Sequence, residues 1–174
     1  RSYIYLCSRA CSNVTKARNC FATLAGLAMN DRERQHLASV DALINARYES
    51  AEALLAGLLE CYPRDVLALQ VAHAFDYLLG NTGQLRERVA RVVPVWRQDM
   101  PGYSAVAAMH AFGLAESGEA HAAMDWCIRS LERDPGNPRV HHAIAHVYET
   151  THQCVSGLNW LTSHVDEWAG ATSV

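Results

Sequence analysis

Three prolines, Pro63, Pro101 and Pro135, stand 38 and 34 residues apart, each just beyond a stretch of helical length. Proline lacks the amide hydrogen that a helix interior needs, and its ring clashes with the preceding turn, so it stops a helix that must reverse direction. A near-constant interval between such stops divides the chain into similar segments, each long enough for two short helices and a turn. Inside the segments apolar residues recur every three or four positions, and the Gly, Pro and Asn clusters fall between them. The fold class expected is therefore all-α.

Candidate helices run from about Glu33 to Asn45, Ser50 to Cys61, Asp65 to Leu79, Gln84 to Gln98, Tyr103 to Ser117, Glu119 to Arg133, Arg139 to Thr151 and Cys154 to Trp168. Breaks at "NARY", "GNTG" and "ESGE" lie inside pairs, while "YPRD", "MPGY" and "DPGNP" separate them. The interval is close to the 34-residue period of a tetratricopeptide repeat. The unit from Ser104 shows it most clearly: Gly118 stands at the inter-helix turn, Ala123 where the two helices touch, Leu131 near the second helix end and Asp134-Pro135 at the exit. Small residues at the crossing let helices approach closely. Four units follow, at about 32–65, 66–103, 104–137 and 138–171, with Gly157 in the fourth standing where alanine is usual. The architecture expected is a tetratricopeptide-like, right-handed superhelical stack of about four antiparallel helix pairs. It occupies residues 31–174, behind an N-terminal extension, residues 1–30, that is helical or partly disordered.

A chain of 174 residues, half of them apolar, can bury one core or one short repeat array. No apolar run approaches the roughly 20 residues that span a bilayer, and the run of about five residues in "RSYIYLCSRACSN" is too short for a signal-peptide core. A cytoplasmic location is expected, without a membrane partner. Six cysteines lack the spacing of a secreted disulfide scaffold and are read as mostly reduced. Cys7 and Cys11 could share a helix face, but no second Cys/His pair stands nearby at zinc-finger spacing. The first 30 residues carry Arg1, Arg9, Lys16 and Arg18 and none of the 18 acids. Four scattered cations are a weak nucleic-acid signal. The arginines of "QLRERVARVVPVW" alternate with an apolar face and are read as an amphipathic second helix closed by Trp96 and Arg97.

The blocks "DRERQHLASVDAL", "YPRDVLALQVAHAFDYLLGNTGQLRERVARVVPVW", "MPGYSAVAAMHAFGLAESG" and "VHHAIAHVYE" together resemble the tetratricopeptide repeat protein 38 family, over roughly Asp31 to Trp168. The resemblance implies stacked helix pairs in a cytosolic helical-repeat protein and no established enzymatic activity. The family's members continue with further helices, whereas this chain stops at "EWAGATSV", which points to a fragment or a shortened relative. Residues 1–30 show no likeness to it.

In such an array the first helix of each unit lines a groove with its second, fifth, ninth, twelfth and thirteenth positions, and packs inward with its fourth, seventh, eighth and eleventh. Gln70, Tyr77, Ala108, Phe112, Glu116, His142, His146 and Glu149 thereby become the candidate ligand-binding groove, apolar to aromatic in the middle and polar at one end. His142, His146 and Glu149 fall within an arc of about 60° on one helix. His73, Asp76 and His110 fall at inward positions, where hydrogen bonds between helices are expected, and His141 is also inward.

Two functions follow, from different classes. The groove suits an extended peptide or a partner helix, giving a protein-interaction or scaffolding module with a homodimer as a further expectation. The fifth and ninth positions are His36 and Val40, Gln70 and Ala74, Ala108 and Phe112, His142 and His146. No lysine is among them, which argues against clamping an acidic C-terminus. The alternative is a metal-dependent or acid–base enzyme, such as a hydrolase, built on His73, Asp76, His110, His142, His146 and Glu149. Two imidazoles at i and i+4 with a carboxylate can hold zinc or another divalent ion. However, His-x-x-x-His-x-x-Glu is not the metalloprotease arrangement, and no nucleophile elbow, phosphate loop or dinucleotide glycine pattern supports a particular reaction. No cofactor and no catalytic residue is assigned.

Overall fold

A computed structural model describes residues 1–170 with the exception of Arg9, Cys11 and Ala25. Any pairing of Cys7 with Cys11, and the final "ATSV", therefore lie outside the described residues. Among the described residues every regular element is helical: α1 (Ser2–Cys7), α2 (Asn13–Ala22), α3 (Asp31–Ile44), α4 (Tyr48–Cys61), α5 (Val66–Leu78), α6 (Thr82–Val92), α7 (Tyr103–Glu116), α8 (Ala120–Leu131), α9 (Pro138–Thr150), α10 (Cys154–Ser163) and α11 (Val165–Trp168). They form two compact units, Arg1–Leu79 and Gly80–Val174.

Local chemistry sets the helix limits. Asn30 accepts from the Glu33 amide at 2.9 Å while the Glu33 carboxylate accepts from the Asn30 amide at 2.9 Å, a reciprocal cap that starts α3 at Asp31. Asp65 caps α5 through the Ala68 amide, and Asn137 caps α9 ahead of Pro138. Gly118 ends the α7 turn at φ +80°, a conformation glycine adopts without steric cost. Two helices end well before their expected limits. The helix expected to reach Gln98 stops at Val92, because Pro94 cannot donate to the ladder, and Val93–Val95 tighten into a 3-10 turn. The helix expected to reach Trp168 breaks at His164, and α11 folds back so that Trp168 Nε1 donates to Leu161 O at 3.1 Å.

In the first unit, residues of the N-terminal extension form α1 and α2, which pack on α3, and α1 also touches α5. Ala17 is fully buried. The repeat is visible in its polar contacts: Asp65 accepts from Arg32, and Asn137 donates to Ser104, each reaching a residue 33 positions earlier.

In the second unit, α7 packs against α6, α8 and α9. Ala108, Ala111, Cys127, Val140, Ala143 and Ile144 form one buried cluster, and Leu114, Ala115, Ala123 and Val147 another. Ala108 was expected to line the groove, but it is 1% exposed. Its small side chain lets α9 lie close over α7, which closes that part of the face. Gly113 serves the opposite side of α7: a Cβ there would stand 2.7 Å from Leu85 O and 2.9 Å from Arg86 Cα. Gly157 of α10 is equally crowded, 2.9 Å from Tyr148 Cβ.

Candidate functional site

On the second unit, α7 and α9 bring four side chains together. Phe112 projects from α7 with Glu116 one turn further on, and His142 and His146 stand one turn apart on α9. The His142 ring stacks on Phe112 at 5.6 Å between centroids and 19° between planes, and His146 meets the same ring edge-on at 5.2 Å. The two imidazoles are 4.5 Å apart. Glu116 Oε1 lies 3.0 Å from His146 Nδ1, with both side chains 22% exposed. Burial of part of its ring, and then the neighbouring His146, push the His142 imidazole below its ordinary value, so at neutral pH it presents an uncharged polar edge. The result is an aromatic plate with a carboxylate at one border.

Spacing alone placed Glu149 with this pair of histidines, but it is exposed and Glu116, from the neighbouring helix, takes the contact with His146. His141 is inward as expected. Its Nε2–H donates to Pro135 O at 2.8 Å, and its Nδ1 accepts from Trp160 Nε1–H at 3.3 Å, which fixes the ring between α9 and α10. His110 is buried against Trp126, edge-on at 4.8 Å. Among the described residues its Nδ1 has no hydrogen-bond partner, so the bond expected between helices is not seen there, and the ring packs on the indole. Gln70, His73, Asp76 and Tyr77 lie on α5 of the first unit, where Asp76 is buried and Tyr77 is 43% exposed. Among the described residues no group of three or more His, Cys, Asp and Glu side chains is disposed to hold a metal ion.

The first unit contains a network that spacing did not indicate. Asp65 Oδ2 accepts from Arg32 Nε at 2.5 Å and from His36 Nε2 at 2.7 Å, and the Tyr3 hydroxyl lies 3.1 Å from His36 Nδ1 and 3.0 Å from His36 O. Burial opposes ionisation of Asp65, but the hydrogen bonds from His36, Arg32 and the Ala68 amide outweigh it and hold the carboxyl well below the usual range. Burial pushes the Tyr3 phenol up, so it stays neutral and serves as a strut rather than a nucleophile. The sequence marks Asp65 only as the first residue of an expected helix, and the structure makes it the cap. No local signal joins it to Tyr3, which reaches the network from α1.

The arginines of α6 are paired or buried. Arg86 Nε lies 2.5 Å from Glu119 Oε1, Arg91 pairs with Glu87 at 3.2 Å, and Arg88 is 4% exposed. Beyond that helix, Arg97 forms two 3.0 Å bonds to Asp99. Among the described residues no helix is long and apolar enough to cross a membrane.

No family model matches the sequence. Among solved structures the chain is similar to MamA AMB-1, with a TM-score of 0.63, 16% identity and 92% of each chain covered. It is also similar to YrrB, described as a TPR protein with an unusual peptide-binding site, with a TM-score of 0.62 and 14% identity over 92% of this chain and 80% of that one. MamA MSR-1 gives 0.60 and 16% over 90% and 87%. The fold is thus that of a tetratricopeptide-like helical repeat.

Proposed function

We propose that this chain is a protein-interaction or scaffolding module that docks a partner peptide on the α7–α9 face of its second unit, and that it is a relative of the tetratricopeptide repeat protein 38 family. The observation that carries the reading is the partly open cluster of Phe112, Glu116, His142 and His146, which offers an aromatic surface and a carboxylate side by side. Peptide recognition uses this combination, an apolar contact for affinity and a polar group for register. The fold likeness to YrrB, whose description includes a peptide-binding site, supports it. Support for the family comes from the sequence blocks between residues 31 and 168.

A homodimer is part of the same proposal. It rests on α10, where Val155 is 76% and Leu158 65% exposed on one face. Free thiols at Cys20, Cys61, Cys127 and Cys154 suit a reducing, cytoplasmic setting.

The docking face is tested by panning a random peptide library on the chain and mapping the best peptide by NMR. Shifts centred on Phe112, Glu116, His142 and His146 support the reading. Saturable binding that leaves these four resonances unmoved contradicts it.

A further inference from the structure

The structure assigns a second ligand site to the first unit: a cavity that takes a single aliphatic chain of about ten carbons. The cavity has a volume of about 360 Å³. It lies where the repeat directs its groove positions, because Glu33, His36 and Val40 hold the second, fifth and ninth positions of the first helix of that repeat, and Leu67 the second position of the next. In the second unit the corresponding face is partly open. In the first, the start of α1 and residues Leu24, Leu27, Ala28 and Met29 line it as well and turn a groove into a pocket.

Three observations define the occupant. The first is the chemistry of the wall, supplied mainly by Leu24, Leu27, Met29, Leu37, Val40 and Leu67. Two of these, Leu27 at 58% and Leu67 at 46%, are large apolar side chains with much of their surface exposed. Covering such surface is what an apolar ligand gains on binding.

The second is that, Arg1 apart, the polar side chains of the cavity are already satisfied, Ser2 by donating to Ala17 O. His36 spends both ring nitrogens on Asp65 and Tyr3, and Glu33 closes the Asn30 cap. The network from Arg32 through Asp65 and His36 to Tyr3 fixes α1 against α3 and holds the wall in place before any ligand arrives. A preformed apolar cavity does not have to be ordered by its ligand.

The third is size. At roughly 30 Å³ per water-sized group, 360 Å³ accommodates about twelve non-hydrogen atoms. That is one medium-length alkyl chain and is far too small for a helix, which is about 10 Å across with its side chains.

The test uses a series of straight-chain alcohols from 1-hexanol to 1-dodecanol, titrated into the chain and followed by the methyl resonances of Met29, Leu37, Val40 and Leu67. One-to-one saturable binding is expected, tightening about fourfold per added methylene and levelling off near 1-decanol. Ala28→Trp, which places an indole at a lining position, is expected to weaken 1-decanol at least tenfold. Leu67→Asp, at a half-exposed position that tolerates a polar side chain, is expected to do the same with an unchanged melting curve. Ile4→Asp, 73% exposed and outside the lining, leaves binding as it was. No saturable binding of 1-decanol, no dependence on chain length, or equal affinity in Leu67→Asp overturns the assignment. None of these results bears on the peptide site of the second unit, whose residues are all different.

Discussion

Glu116 and His146 meet across two helices, Oε1 to Nδ1 at 3.0 Å, and their contact borders the Phe112 ring on which His142 stacks. Both side chains are 22% exposed, and a single hydrogen bond of this kind contributes about 1 kcal/mol net. What the contact does is hold a carboxylate beside an aromatic face.

Asp65 anchors the first unit. Its carboxylate is buried and accepts from Arg32, His36 and the Ala68 amide. Asp65→Ala removes a helix cap and leaves two donors unmatched, an expected loss of about 3 kcal/mol in urea denaturation. Because the folded carboxyl is held below its ordinary value, the stability it contributes is complete above about pH 4 and declines as the pH falls further. Asp65→Asn, which cannot be ionised, is expected to flatten that acid limb. An acid limb identical in Asp65→Asn and the parent chain would show that the carboxylate is not the group responsible.

Two helical glycines make opposite predictions. Gly113→Ala drives a methyl group into the α6 backbone at Leu85 and Arg86 and is expected to cost about 2–3 kcal/mol. Gly57 has nothing within 4 Å of the Cβ position, so Gly57→Ala is expected to be neutral or to stabilise by up to about 1 kcal/mol through helix propensity. Thermal melts of the two variants should differ by roughly 5–15 °C, with Gly113→Ala the lower.

His110 is a buried polar residue that the second unit does not require as histidine. With Nδ1 unpartnered, replacing it by an apolar side chain removes an uncompensated desolvation cost. His110→Leu is expected to stabilise by about 1 kcal/mol at pH 7. Burial, and then Arg86, depress the His110 imidazole, so below about pH 6.5 the unfolded chain takes up a proton that the folded one resists. The advantage of His110→Leu should therefore grow from pH 7 to pH 5. A constant difference across that range rules out this source of the pH dependence.

The residues that sequence placed well are those whose role is local. Pro63 and Pro135 follow the ends of α4 and α8, Gly118 takes a left-handed turn, Ala123 is fully buried at a crossing, and His141 points inward. Each is governed by the geometry of one helix or one turn. The misses among the groove residues all involve a neighbouring helix. Helical spacing put Glu149 with His146, yet the partner is Glu116 from α7. It put His36 on an open groove, yet Tyr3 of α1, 33 residues away, packs against it. It put Ala108 on the surface, where the close approach of α9 buries it. A period of 3.6 residues fixes which side of a helix a residue occupies but carries no information on what is packed against that side.

The central claim is that the α7–α9 face docks a peptide. The most direct measurement is calorimetric titration of the best peptide from the library into the parent chain, Glu116→Gln and the double variant His142→Ala, His146→Ala, with melting curves recorded alongside. The account predicts at least tenfold weaker binding in the double variant and a smaller loss in Glu116→Gln, with melting temperatures within a few degrees of the parent. Parent-like affinity in the double variant would contradict it and return the two histidines to a purely structural role.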